Sequence, residues 1–279
     1  MHLQGARGYR EMKFRIDHDM HIHTQLSLCS LDPKQTVGSI LAYAENNGLH
    51  TVAVTDHYWD GAVHGASEWY KKQDFSHISA SLPLPKSERI RFLFGCESEM
   101  NRELTLGIPK ERYRDFGFII IPTTHLHMNG FTIIPELEGS PEGRAALWVK
   151  RLESLLREDL PWEKVGIAHL ACPLINRASR EEYLRTLDLI PEGEMERLFA
   201  IAAQRRVGIE LNLSDMKFSE EESERVLRPF RIAKHQGCKF YLGTDAHHPK
   251  EFKSAGEIFS RAINLLGLTE DDKLDTARA

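Results

Sequence analysis

No apolar run in this 279-residue sequence approaches the roughly 20 residues that span a bilayer, and no signal-type hydrophobic segment opens the chain. Neither a membrane location nor a membrane partner is expected. Long basic runs are missing too. With 36 basic against 41 acidic side chains the net charge is −5, which argues against a protein that coats nucleic acid, so no stable nucleic-acid partner is expected. Cysteine is scarce and scattered: Cys29, Cys96, Cys172 and Cys238 form no C-x-x-C pair. That argues against a disulfide framework or a zinc finger and fits a reducing cytoplasm. Repeats, low-complexity blocks and linkers are also lacking, so nothing divides the chain.

What is present is an ordinary core-forming composition, 41% hydrophobic and 28% charged, as expected of a soluble globular protein. The first eleven residues, MHLQGARGYRE, read as a peripheral N-terminal extension, because Met12 is an equally good start. Residues 12–279 are expected to form a single domain. Seven short apolar or β-branched runs recur at 13–23, 50–57, 90–100, 116–127, 164–170, 207–214 and 239–247. They are near-continuously apolar rather than alternating, which predicts strands buried on both faces and hence parallel. Between them lie helical patterns. DPKQTVGSILAYAENNG offers Asp32 as N-cap, Pro33 at the first helical position and Gly48 as a stop. SPEGRAALWVKRLESLLRED, EMERLFAIAAQRR and SEEESERVLRPFRIAKHQG follow the helical period. Residues 62–87 read as an irregular, aromatic-rich insertion over the site. Alternating strand and helix implies an α/β fold with a parallel sheet and right-handed crossovers, open or closed. A closed sheet carries its chemistry at the carboxyl ends of the strands.

Histidine is abundant, at fourteen, and many of these residues fall at those ends together with acids. The first run delivers His21 and His23, the second Asp56 and His57, the third Glu97 and Glu99. The fourth delivers His125 and His127, the fifth His169, and the last Asp245 and His247. Residues two apart share a strand face, so His21 with His23 and Asp245 with His247 could reach inward together. Imidazole and carboxylate suit zinc, manganese or iron. His2, His18, His50, His64, His77 and His235 scatter elsewhere and receive no role.

Taken in order, the motifs H-I-H-T, V-T-D-H, G-C-E, T-T-H, I-A-H and G-T-D-A-H resemble those of the PHP (polymerase and histidinol phosphatase) family, from about Arg15 to His247. The resemblance implies a distorted seven-stranded (β/α)7 TIM-like barrel with two or three divalent metal ions (Zn, Mn or Fe) at its carboxyl rim. By motif, His21, His23 and Asp245 look like ligands of one metal. Glu97 resembles the carboxylate bridging it to another held by His125 and His169, with His127 the rival of His125. His57 and His247 resemble ligands of a further metal. The chain departs from many family members at Cys29, where a histidine or aspartate usually completes that site; a thiolate could serve instead. Asp19 and Thr24 are expected to orient the imidazoles.

Closely spaced divalent ions can bring a bridging water towards ionisation at neutral pH and clamp phosphate oxygens. The expected activity is therefore that of a metal-dependent hydrolase acting on phosphoric esters through a metal-activated hydroxide. Its substrate would be a small phosphomonoester, histidinol phosphatase-like or nucleotide-type. Asp245 or His247 could also relay a proton to the leaving group. Arg177 and Arg102 are candidates for the phosphate and Asn212 for substrate hydrogen bonding; each arginine could equally pair with an acid such as Glu181. Glu99 either joins the site or pairs with a cation at the rim. The alternatives are an amidohydrolase-type C–N hydrolase, which often carries a lysine where this chain has TTHLHM, and a non-catalytic PHP scaffold.

Overall fold

The computed structural model describes residues 12–133 and 140–276; the proposed extension, residues 1–11, lies outside them. The strands are β1 (His18–Ile22), β2 (Thr51–Val54), β3 (His57–Tyr58), β4 (Arg91–Ser98), β5 (Phe118–Pro122), β6 (Val165–Ala168), β7 (Gly208–Asn212) and β8 (Lys239–Gly243). All named pairings are parallel, in the order β1-β2-β4-β5-β6-β7-β8, with β3 beside β4. The second expected strand is thus broken in two, and β2 and β3 share one of seven barrel positions. At the break the Thr55 hydroxyl accepts from Ile22 N–H at 3.1 Å, and Asp56 accepts from Thr24 N–H at 2.7 Å. The chain leaves the ladder there to anchor the loop that follows β1.

The barrel nearly closes between β8 and β1, partly through side chains. His18 Nε2 accepts from Leu242 N–H at 3.0 Å, and Asp19 accepts from Thr244 N–H at 3.0 Å and from its hydroxyl at 2.7 Å. Nearer the carboxyl rim the backbones meet directly. Asp245 N–H donates to His21 O at 2.7 Å and His23 N–H to Ala246 O at 3.1 Å. His18, one of the scattered histidines without an expected role, is therefore a closure residue.

Inside the barrel, Met20, Ala53, Phe118, Ile120, Ala168 and Tyr241 pack as one small cluster. A Cβ at Gly166 would collide with the Tyr241 hydroxyl, so the bare Cα leaves room for that ring to cross the interior. The larger core lies outside the strands, under α3 (Pro141–Leu155), α4 (Arg180–Leu189), α5 (Glu192–Arg205), α6 (Ser223–His235) and α7 (Ala255–Leu266). Ser140 caps α3 by accepting from Gly143 N–H, with Pro141 at the first turn.

Two expectations are corrected. The helix α1 spans Val37–Asn46 and its N-cap is Thr36, in a capping box with Ser39, not Asp32. Asp32 instead caps a turn by accepting from Lys34 N–H and pairs with His248 at 2.7 Å. The strand–helix alternation also lapses between β4 and β5, where a 3-10 segment, Lys110–Asp115, makes the crossover. The aromatic-rich stretch 62–87 does fold irregularly, around a 3-10 turn at Tyr70–Lys72 and a single helical turn, α2 (Phe75–Ile78). Among the described residues no helix is long and apolar enough to cross a membrane.

Candidate metal centre

Glu97, near the carboxyl end of β4, is fully buried and stands at the middle of the rim. Its Oε2 lies 2.8 Å from His57 Nδ1, 3.4 Å from His23 Nε2 and 3.6 Å from His21 Nε2. Its Oε1 lies 3.6 Å from His169 Nε2 and 3.8 Å from His125 Nε2. Asp245, after β8, closes the other side, 3.0 Å from His23 Nε2, 3.4 Å from His21 Nε2 and 3.5 Å from His169 Nε2. His247 stacks on the His23 ring at 4.1 Å between centroids.

These groups fit divalent cations. Both Glu97 oxygens, both ring nitrogens of His169 and Nδ1 of His57 are buried without a hydrogen-bonding partner, an expensive state for so many polar atoms unless something positive sits among them. Ligand atoms of His21, Glu97 and His169, of His21, His23 and Asp245, and of His23, His57 and His247 each gather within 4.8 Å of one another. His169 and Asp245 both adopt left-handed backbone conformations, with φ of 58° and 54°. Non-glycine residues pay for that conformation, and here it aims two side chains at one point.

Behind the inward-facing nitrogens lies a set of acceptors. Glu210 Oε1, on β7, is 2.7 Å from His21 Nδ1. Ser27 Oγ is 2.8 Å from His23 Nδ1 and itself donates to Asp56 at 2.7 Å. Glu99 is 2.9 Å from His125 Nδ1, and Arg151 donates to Glu99 at 2.7 Å. Such partners fix each ring's orientation and tautomer and leave Nε2 facing the centre. Asp19 and Thr24, expected in this role, do not touch the rings. Asp19 accepts from His21 N–H at 3.3 Å, and Thr24 donates to Asp56 at 2.7 Å.

The electrostatics follow from this crowding. Burial opposes charge on His21, yet Glu210, Asp245 and Glu97 around it raise its pKa to about 10. His23 is held well below the usual range by burial and by the His247 and His57 charges, which keeps it neutral. Glu97 stays ionised despite burial because His57, His21 and His125 surround it. Cys29 reaches both His247 and His57. Burial disfavours its thiolate, but hydrogen bonds from those two rings bring its pKa down to about 6.

Not all of the expected residues reach the centre, and some reach it by another route. His125 and His127 sit beyond the end of β5 at Pro122, so they share no strand face; the same holds for Asp245 and His247, beyond Gly243. His125 turns towards Glu97, and His127 lines the cleft outside it. Asn212 is buried, its amide donating to Glu210 at 3.2 Å and its oxygen accepting from Ser214 N–H at 2.8 Å. Arg102 pairs with Glu103 at 2.7 Å and lines a neighbouring hollow with Asn101 and Phe131. Arg177 is exposed beside Pro173 and Tyr183, outside the cleft, while Glu181 faces Arg225 at 3.6 Å.

Residues missed from the sequence include Glu210, Ser27, Asp215 and Arg151. Glu210 carried a signal, since a carboxylate inside the apolar run VGIELNLS must be buried and therefore partnered. Arg151 shares the helical face of Leu147, Trp148 and Leu155, which marks it as an inward cation. Asp215, 3.6 Å from His169 Nδ1, and Ser27 carried none.

A parallel α/β barrel with buried imidazoles and carboxylates converging on its carboxyl rim defines the class of protein. The chain belongs to the PHP domain family, whose model matches residues 19–214. In fold it is similar to histidinol phosphate phosphatase from Lactococcus lactis, solved with zinc, L-histidinol and phosphate. That match has a TM-score of 0.55 and 15% identity, covering 93% of this chain and 98% of the other. It is also similar to a protein of Listeria monocytogenes designated a histidinol phosphatase, with a TM-score of 0.58 and 13% identity, covering 87% of this chain and 99% of the other. No curated protein sequence matches it.

Proposed function

We propose that this protein is a metal-dependent phosphoesterase that hydrolyses a small phosphomonoester. The observation that carries the reading is Glu97, a buried carboxylate whose two oxygens lie within 2.8–3.8 Å of five imidazoles without a well-aligned hydrogen bond to any of them. In this reading His21, His23 and Asp245 hold one ion, and Glu97 is shared with a second held by His125 and His169. His57 and His247, with Cys29, hold a third or leave it weakly bound. Bound divalent ions supply Lewis acidity and a nucleophile drawn from water at neutral pH.

The chain's own residues do the rest. The Glu210, Ser27 and Glu99 contacts hold the imidazoles in place, so little reorganisation is needed when charge develops on a phosphate. His247 lines the cleft at the open side of the centre, where it can pass a proton to the departing alcohol; Asp245 beside it is held ionised against burial by His21, His23 and His247 and can only accept one. The phosphate and zinc reported with the Lactococcus lactis enzyme support the same chemistry here.

The test combines metal analysis of the purified protein with a phosphoester panel in zinc, manganese and iron. Bound metal and turnover of at least one monoester are expected. Metal without hydrolysis of any ester would leave a metal-holding scaffold and end the enzyme reading.

A further inference from the structure

Residues 59–70 and 128–131 build a second, aromatic core apart from the barrel's own. Trp59, Tyr70 and Phe131 are buried in it, with Trp69 and Met128 packed against them and half-exposed. Tyr70 lies 4.8 Å from Trp69 and 5.2 Å from Phe131, and Trp59 lies 5.4 Å from Phe131, all between ring centroids. Trp59 is itself pinned by its indole N–H to Val63 O at 2.8 Å. This rigid block forms one wall of a cleft of about 490 Å³ that opens onto the metal centre. Trp69 makes the junction, its ring in edge contact with His57 at 5.1 Å. Leu174 also lines the cleft.

We propose that this cleft selects phosphomonoesters whose alcohol carries a flat, apolar, uncharged group, and that Trp69, Phe131 and Met128 are the selecting residues. The inference rests on the phosphoesterase reading and narrows its substrate class. A phosphate engaged at the centre beside His57 and His247 leaves its ester substituent in the cleft, against Trp69. Among the described residues lining the cleft none is lysine or arginine, and Asp245 is the one carboxylate. A second phosphate or a carboxylate held against Trp69, Met128 and Phe131, away from His57 and His247, would lose its water without gaining a countercharge from those side chains, a costly exchange. An apolar ring instead buries area against aromatic and thioether surfaces, worth about 10- to 150-fold in relative affinity.

The experiment compares esters of primary alcohols, so that leaving-group reactivity does not decide the outcome. 2-Phenylethyl phosphate is set against glycerol 3-phosphate, phosphoethanolamine and glucose 6-phosphate, with 1,3-propanediol bisphosphate as the multiply charged case. We expect kcat/KM for 2-phenylethyl phosphate to exceed each of the others by about 10-fold or more. Trp69→Ala and, separately, Met128→Ala should lower that preference several-fold. Trp69→Phe, which keeps a ring, should restore most of it and guards against misfolding of the alanine variant. A readout independent of turnover is quenching of indole fluorescence by 2-phenylethylphosphonate, measured in the wild type and in Trp69→Phe; the quench should weaken when Trp69 is absent. A charged or sugar ester that is turned over as well as the phenylethyl ester, or a preference unmoved by Trp69→Ala, overturns the substrate proposal and leaves the phosphoesterase intact. Absence of turnover on every ester removes both.

Discussion

Glu210 Oε1 stands 2.7 Å from Nδ1 of His21, joining the middle of β7 to the end of β1 across the barrel interior. The same carboxylate accepts from the backbone N–H of His169 at 3.2 Å, so one side chain holds the ring of one proposed ligand and the main chain of another. Glu210→Gln keeps the shape and an acceptor but removes the charge that makes the His21 ring a strong donor of electron density. Outer partners of this kind are worth about 10- to 100-fold in metal affinity. We expect zinc affinity, measured by competition with a chelator, to fall within that range while the fold persists. Unchanged affinity would mean that Glu210 only fills space.

Gly243 is the position that lets Glu210 approach. A Cβ there would run into the Glu210 carboxylate and come within 2.6 Å of His21 Cβ. The backbone at Gly243 is not left-handed, so the requirement is room rather than conformation. Gly243→Ala should therefore lower stability by about 1–3 kcal/mol, as overpacking does, and should weaken zinc binding as Glu210→Gln does. Thermal denaturation and chelator competition check the two effects separately. A stable variant with normal affinity would contradict the packing argument.

Arg151 is fully buried and donates to Glu99 at 2.7 Å, to Met100 O at 2.7 Å and to Thr123 O at 3.1 Å. Arg151→Met strands a buried carboxylate and the carbonyls of Met100, Pro122 and Thr123, and denaturant unfolding should show a loss of about 3–5 kcal/mol. Arg151→Lys should not rescue it, because an ammonium cannot reproduce the planar fork. Glu99 adds a pH signature. Burial opposes its charge, but the His125 hydrogen bond, the His125 charge and Arg151 hold its pKa below the usual range. Its contribution to stability is thus complete above the ordinary glutamate range and lost as the pH falls below it. Glu99→Gln should flatten acid unfolding of the metal-free protein in that window.

Metal removal gives a further check. In the metal-free protein His21 carries a proton at neutral pH, its pKa raised to about 10 by Glu210, Asp245 and Glu97 against the effect of burial. A ligating nitrogen must shed that proton, so zinc titration in weak buffer should release at least one proton per protein. Zinc affinity should accordingly fall as the pH is lowered. Binding without proton release would place His21 outside the coordination sphere.

How much of this was legible beforehand follows from what each residue signals. The apolar runs announced the strands because a strand covered on both faces has no polar alternation to hide it. His21, His23, Glu97, His169 and Asp245 announced themselves by falling at the ends of those runs. The break between β2 and β3 did not, because it depends on Asp56 gathering Thr24 and Ser27 from another loop. Capping by Thr36 rather than Asp32 likewise depended on a distant partner, His248, that claims the aspartate. Asn212 pointed the right way along its strand but is spent on Glu210, a neighbour two residues back. Tertiary partners decided each of these, and no local pattern encodes them.

Cys29 offers the sharpest chemical test of the outer part of the centre. Cys29 is exposed at the rim; partial desolvation of its sulfur opposes the thiolate, but hydrogen bonds from His247 and His57 lower its pKa to about 6. In the metal-free protein the alkylation rate with iodoacetamide should rise with pH and reach half its plateau near that value. Cys96, Cys172 and Cys238 are buried and should react slowly. Zinc bound by His57, His247 and the thiolate should protect Cys29, whereas manganese, a poor partner for sulfur, should protect it less. Cys29→Ser should then lower zinc affinity at this outer position and narrow the gap between zinc and manganese, with the ions at Glu97 retained. Alkylation that follows an ordinary thiol profile, or that zinc does not slow, would remove Cys29 from the ligand set and leave the centre with two ions.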